Sequence, residues 1–398
     1  MRILVLTETI PYPLDAGGRI KTFHTLRMLR GHHEVRLHAF IRDAAQQAHQ
    51  AAIEALGVPT TLHLLPRSVA TEAWLAARSV AGAPYSVGRH FDRAVHAEIA
   101  SVAAAWSPDL VYVDHLSMAE YARRLPVPMV YDAHNVEHAI LRRFALTRRH
   151  PLARAVATVE WRRVRTYEAM VCRASRLVCV VSDVDRRELA ALAGPSTPFA
   201  VVPIAVDAGG VTPPASLSAR PQVLFLGGLH WPPNADALSH FVQSAWPRVQ
   251  QARPDATLVS VGRDDAPAAA ECRRAPGVTL VGHVPDIAPY MRDSRVLVVP
   301  MRAGSGMRVK ILEAMARGVP VVTTSVGCEG IEVVDGAHVL IADEPMGFAA
   351  AVVRLLDDPA LGLRLAGAAR RLVMDRYDVA SVRARLLDAL ESARTAPS

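Results

Sequence analysis

The chain has 398 residues, more than the roughly 250–300 at which one hydrophobic core stops growing, so two domains are expected. An apolar fraction of 51% against 21% charged residues excludes a disordered chain, and no apolar run approaches the roughly 18–20 residues needed to cross a bilayer. The formal charge of +7, carried mostly by arginine, favours anionic partners without choosing among nucleotides, lipid phosphates and nucleic acid.

The opening "MRILVLTETI" turns polar at Thr7 and Glu8 and has no small-residue cleavage site, so it reads as a first strand rather than a signal peptide. A cytoplasmic protein, free or at the inner face of the cell membrane, is the corresponding expectation. In "IPYPLDAGGRIKTFHTLRML" the pair Gly17 and Gly18 precedes a helix, where missing side chains let the backbone approach a ligand closely. Arg19 and Lys21 follow, readable as acceptor-side contacts or as solvated charges.

Further apolar runs, "EVRLHAF", "LVYVD", "MVYDA" and "LVCVVS", are separated by helical stretches, the pattern of a parallel sheet buried on both faces. "LVYVDHLSMAEY" and "MVYDAHNVEH" each put a histidine, His115 and His134, just past a strand, where ligands of open α/β sheets bind. A histidine there can bond a ligand hydroxyl or move a proton, although a lone histidine is more often structural. The catalytic candidates are His115, His134 and Asp114, in that order. The stretch from Arg142 to Arg165 is dense in arginine around a helix expected after His150. Its basic face suits an anionic membrane surface or a lipid-diphosphate acceptor, and a solvated helix face accounts for it equally well. No nucleic-acid reading motif accompanies the charge, so nucleic acid is not an expected partner.

After a connector rich in Pro, Ala, Gly and Ser at Ala208 to Pro221, a second set of strands begins: "VLFLGG", "TLVSVG", "VTLVG", "VLVVP" and "PVVTTS". The expected division is 1–205, 206–375, and a helix with a tail at 376–398. Within the second set, Gly304, Ser305 and Gly306 form a small-residue loop between a strand and a helix, an arrangement that favours a phosphate. Arg308 and Lys310, placed in the first helical turn, oppose the helix dipole by about 0.3–1 kcal/mol each, and a bound diphosphate is a reason for them. Glu313 is then placed to accept from ribose hydroxyls. The alternative is a surface pair of Lys310 with Glu313 and an Arg308 that faces water. Four cysteines without a CxxC pair read as small core residues of a reduced compartment. No acidic cluster suited to Mg²⁺ lies near the phosphate loop, so neither a metal nor another cofactor is expected.

These segments together resemble a family, the retaining glycosyltransferases of the two-Rossmann, or GT-B, fold found with bacterial polysaccharide biosynthesis. "ILEAMARGVPVVTT" with "GCEGI" is similar to the family signature, "VCVVSDVDRREL" to its interdomain strand and Ser-capped helix, and "VVPIAVD" to its hinge. "DGAHVLIADEPMGFAAAVVRLLDDP" resembles its C-terminal ending. The resemblance implies an α/β protein of two Rossmann-like doubly wound domains facing across a cleft, with a C-terminal helix crossing back to the first domain. It implies transfer, with retention, of a sugar from a nucleoside diphosphate sugar to a lipid-linked or other hydroxyl acceptor, in envelope or extracellular polysaccharide synthesis. Decoration of a small natural product, nucleotide-sugar 2-epimerisation and a non-catalytic scaffold are the competing readings. Glu313 matches the second glutamate of the family's paired glutamates, while the first falls on Ser305. The family's basic pair after the first strand of the second domain is replaced by "LGGLHWPPN", and Arg308 and Lys310 are expected to substitute for it.

Overall fold

The computed structural model describes residues 1–65, 82–147, 150–304 and 306–395. The chain divides into two compact units, Met1–Ala205 with Val382–Ser398, and Val206–Ser381.

The first unit is built on seven strands, β1 (Arg2–Thr7), β2 (Glu34–Ile41), β3 (Thr60–Leu64), β4 (Leu110–Asp114), β5 (Met129–Ala133), β6 (Leu177–Val180) and β7 (Phe199–Val201). They pair in parallel in the order β3-β2-β1-β4-β5-β6-β7. Every residue of β4 and β5 is buried, as expected of uninterrupted apolar runs covered by helices on both faces. Leu4, Leu6, Val111, Val113 and Tyr131 share one core with Met118, Tyr121, Val164 and Tyr167 from the covering helices. The winding reverses between β1 and β4, and the register there sets Thr7 beside Asp114 and Asp114 beside Asp132. One row of polar residues therefore crosses the carboxyl ends of three central strands, where ligands of such sheets bind.

The second unit holds β8 (Gln222–Leu226), β9 (Thr257–Val261), β10 (Val278–Gly282), β11 (Val296–Val299), β12 (Val321–Thr323) and β13 (Leu340–Ile341). Their order is β10-β9-β8-β11-β12-β13, again parallel throughout, with the reversal between β8 and β11. Edge strands β3, β7 and β13 are absent from the sequence-based list. β7 and β13 are three and two residues long, too short to carry a pattern.

The last helix, Val379–Thr395, crosses back as the resemblance implied, for its residues from Val382 onward belong to the first unit. Val382, Leu386, Leu390 and Ala393 form a buried stripe at three- and four-residue spacing, and Arg176 donates to the Ala393 carbonyl at 2.8 Å.

Candidate functional site

In the first unit the three catalytic candidates form one cluster centred on Asp114. Its carboxylate is fully buried and accepts four side-chain hydrogen bonds. Oδ2 takes the hydroxyls of Thr7 and Thr22 at 2.8 Å each and His115 Nδ1 at 2.9 Å, while Oδ1 takes His134 Nε2 at 2.7 Å. Burial alone would raise the Asp114 carboxyl, but the His134 and His115 imidazoles outweigh it and hold the group well below the usual carboxylate range.

A carboxylate only accepts, so the histidine nitrogens facing it carry the hydrogens. The opposite nitrogens, His115 Nε2 and His134 Nδ1, converge on the start of helix Gly17–Arg30: a methyl group added at Gly18 would lie 3.7 and 3.8 Å from them. The two rings are 3.9 Å apart between centroids, too close for both to be charged at low cost. Burial pushes His134 down to about 4, whereas at His115 the attraction of Asp114 and Glu8 overrides burial and pushes it up to about 10. The pair therefore offers a neutral acceptor and a cationic donor to the same small space. His115 is held there by a left-handed backbone, φ 85°, an uncommon conformation for a residue with a side chain. Asp114, His115 and His134 also present ligand atoms within 4.8 Å of one another, a spacing compatible with a metal ion.

Beneath this cluster lies a pair that sequence reasoning missed. Lys21 is 3% exposed and donates to Oδ2 of the fully buried Asp132, which also accepts the Tyr112 hydroxyl at 2.8 Å. The solvated reading of Lys21 does not hold, since its ammonium is a buried ion-pair partner. Arg19 instead pairs with Asp15 at 2.7 Å, one helical turn away. Only the alternation of apolar Tyr112 and Tyr131 with acidic Asp114 and Asp132 at two strand ends hinted that a cation was needed there. Gly17 opens the same helix.

In the second unit, the loop after β11 leads into helix Val309–Ala316. The helix starts later than the sequence suggested, so Arg308 occupies its extended N-cap position instead of the first turn. Arg308 does not face water: it is 5% exposed, and its guanidinium bends back to donate to the Gly306 carbonyl. Gly304, at φ 131°, leaves room for this, because a Cβ there would sit 2.5 Å from Arg308 Nη2. Ser305 lies outside the described residues.

Lys310 reaches the carboxyl end of β8, donating to the Leu226 carbonyl and to Asn234 Oδ1 at 3.2 Å, with its ammonium 5.2 Å from the centre of the Phe225 ring. Burial, with the neighbouring Arg308 charge, lowers its pKa to about 7. The supposed surface pair with Glu313 is not formed, because Glu313 bonds Arg317 instead. "LGGLHWPPN" thus supplies Asn234 and a carbonyl to position a lysine that arrives from the helix Val309–Ala316. Close backbone packing makes this possible: at Gly262, φ 140°, a Cβ would come within 2.5 Å of the Gly227 carbonyl carbon.

Residues 220–358 match the family model described as glycosyl transferases group 1. An uncharacterized 44.6 kDa protein in the cps region of Klebsiella pneumoniae is 26% identical over 39% of this chain and 42% of its own length. The phosphatidyl-myo-inositol mannosyltransferase of Mycobacterium tuberculosis is 30% identical over 53% of this chain and 58% of its own. The chain thus spans about half the length of these curated relatives. Among solved structures, HepE of Anabaena in complex with UDP and glucose superposes with a TM-score of 0.71 at 16% identity, covering 98% of this chain and 100% of that one. By its sequence over residues 220–358 and by its fold over nearly the whole chain, this protein is similar to the group 1 glycosyl transferases built from two Rossmann-like domains.

Proposed function

We propose that this protein is a glycosyltransferase that moves a sugar from a nucleoside diphosphate sugar to a hydroxyl acceptor. The observation that carries the reading is the pair Arg308 and Lys310, one buried and one half-buried cation brought to adjoining strand ends at a helix start within the segment that matches the family. Taking cations out of water is costly, and the charge-assisted hydrogen bonds that a diphosphate makes to them offset that cost. Negative charge grows on the leaving diphosphate during transfer, so fixed cations and backbone N–H groups at the helix start favour the transition state over the ground state. Glu313 uses Oε2 for Arg317 and keeps Oε1 for a ribose hydroxyl. In the first unit, His115 and His134 above Gly18 are suited to orient sugar hydroxyls, one donating and one accepting. A UDP-linked donor is favoured by HepE, whose structure holds UDP and glucose.

Retention at the anomeric carbon, and a place in envelope or extracellular polysaccharide synthesis with a lipid-linked acceptor, are the finer parts of the proposal. They are supported by the motif resemblance and by similarity to a protein of a cps region. A thermal-shift screen of UDP- and GDP-sugars tests donor binding, since a ligand at a hundredfold its Kd stabilises by about 2.7 kcal/mol. Arg308→Ala and Lys310→Ala are expected to abolish the shift and turnover; unchanged binding would remove the phosphate assignment. Incubation with donor alone separates the same-fold epimerase, because net epimerised nucleotide sugar without acceptor would overturn transfer. The anomeric coupling in the product reports retention.

A further inference from the structure

Fifteen large apolar side chains are exposed among the described residues, and five of them fall in one short stretch: Phe144, Leu146, Leu152, Val156 and Val159. Leu152 and Val156 are each 71% exposed and Val159 is 58% exposed. They lie on helix Pro151–Ala174, whose first six residues are all exposed. With one residue per 100° or so of helix, Leu152, Val156 and Val159 share a sector of about 60°. That sector is distinct from the one carrying Val164, Tyr167 and Val171, which are buried in the domain. The helix therefore has two apolar stripes, and among the described residues one is buried and the other exposed.

The charge around the unused stripe has one sign. From 142 to 165 the sequence contains eight arginines and a single acid, Glu160. Glu160 is occupied, accepting the Ser86 N–H at 2.8 Å and its hydroxyl at 2.9 Å. Arg142 and Arg162 sit 6.0 and 5.7 Å from the centre of the Trp161 ring, and Arg154 and Arg165 are exposed on the same helix. Arg162 lies about 60° round the helix from Val159, whereas Arg154 and Arg165 lie on the opposite face. An apolar stripe with a cation beside it in a stretch this basic combines acyl-chain contact with headgroup attraction, the recognition chemistry of an anionic bilayer surface. No helix of the described residues is long and apolar enough to cross a membrane, so contact of this kind lies along the surface.

We infer that the start of helix Pro151–Ala174 docks the protein on an anionic lipid surface, with Leu152, Val156 and Val159 entering the headgroup boundary and Arg162 beside them meeting lipid phosphates. This inference stands apart from the transferase reading, since it concerns binding to vesicles and not turnover. It is tested by flotation of the full chain with vesicles of phosphatidylglycerol and phosphatidylcholine, and with phosphatidylcholine alone. The protein should float with the anionic vesicles only, and added salt should release it. Leu152→Asp with Val156→Asp should lower the bound fraction at least roughly tenfold, because charges replace the inserted stripe, while far-UV circular dichroism is unchanged. Arg162→Gln should lower it too, without touching the apolar stripe. Absence of flotation, or flotation unaffected by the aspartate pair, would overturn the inference. So would a dimer, seen by sedimentation, that the aspartate pair dissociates, for a second copy would then cover this face.

Discussion

Asp114→Asn is the sharpest perturbation available in the first unit. The side chain keeps its shape but loses the charge that two histidines and two hydroxyls address at 2.7 to 2.9 Å. An amide offers one acceptor where the carboxylate offers two, so either His134 or the group of three donors at Oδ2 faces an N–H. Removing one partner from a buried charged network costs about 3–5 kcal/mol. At about 1.4 kcal/mol per factor of ten, amide exchange in β4 and β5 should accelerate by roughly 10² to 10³ or more, as read by mass spectrometry. That readout is local, which matters because a chain of two units need not unfold in one step.

The pH dependence follows from the same bonds. His115 is raised in the fold to about 10, so its contribution is full below the unfolded value and is lost as pH rises through about 10. Asp114 is depressed, so its contribution is full above the unfolded carboxylate value and is lost as pH falls through the folded one. Both slopes should flatten in Asp114→Asn, and the His115 ring signals should then titrate near neutrality by NMR. Exchange rates and a His115 titration identical to those of the unmodified protein would refute the account of the cluster.

Lys310, lowered to about 7, is largely neutral at alkaline pH, and a bound diphosphate should raise it again. UDP binding above pH 7 should therefore take up a proton, and affinity should fall as pH rises from 7 toward 10; calorimetry in buffers of different ionisation enthalpy measures the uptake. Gly262→Ala puts a methyl group within 2.5 Å of backbone at φ 140°, and a loss of about 1–3 kcal/mol is expected in urea unfolding followed by exchange of β8 and β9. Gly18→Ala is milder: its methyl meets both histidine nitrogens at ordinary contact distance, so the fold should survive while transfer rates fall as the space for a hydroxyl closes. With the phosphate charge met by Arg308 and Lys310, transfer should persist in excess EDTA, and loss of rate restored by a divalent ion would point instead to the Asp114, His115 and His134 cluster.

Much of the architecture was legible before any coordinates. Apolar runs such as "LVYVD" and "VLVVP" state that strands are buried on both faces, and only parallel sheets clothed in helices bury them so. The strand ends also announced His115, His134 and the loop at Gly304, because in such sheets the chemistry follows the carboxyl ends. Edge strands β3, β7 and β13 stayed hidden, being too short or too mixed to show a period. What tertiary structure alone decided was partnership. Thr7, Thr22, Asp114 and His134 lie far apart in sequence and meet because β1, β4 and β5 align in register. Lys21 meets Asp132 across 111 residues, and Lys310 meets Leu226 across 84. A local pattern records which face of an element is apolar, but the ion-pair or carbonyl partner of a buried lysine is set by long-range register. For that reason Arg308 and Lys310 read from sequence as first-turn cations, whereas in the structure Arg308 is a buried N-cap residue and Lys310 is a half-buried one bonded to the end of β8.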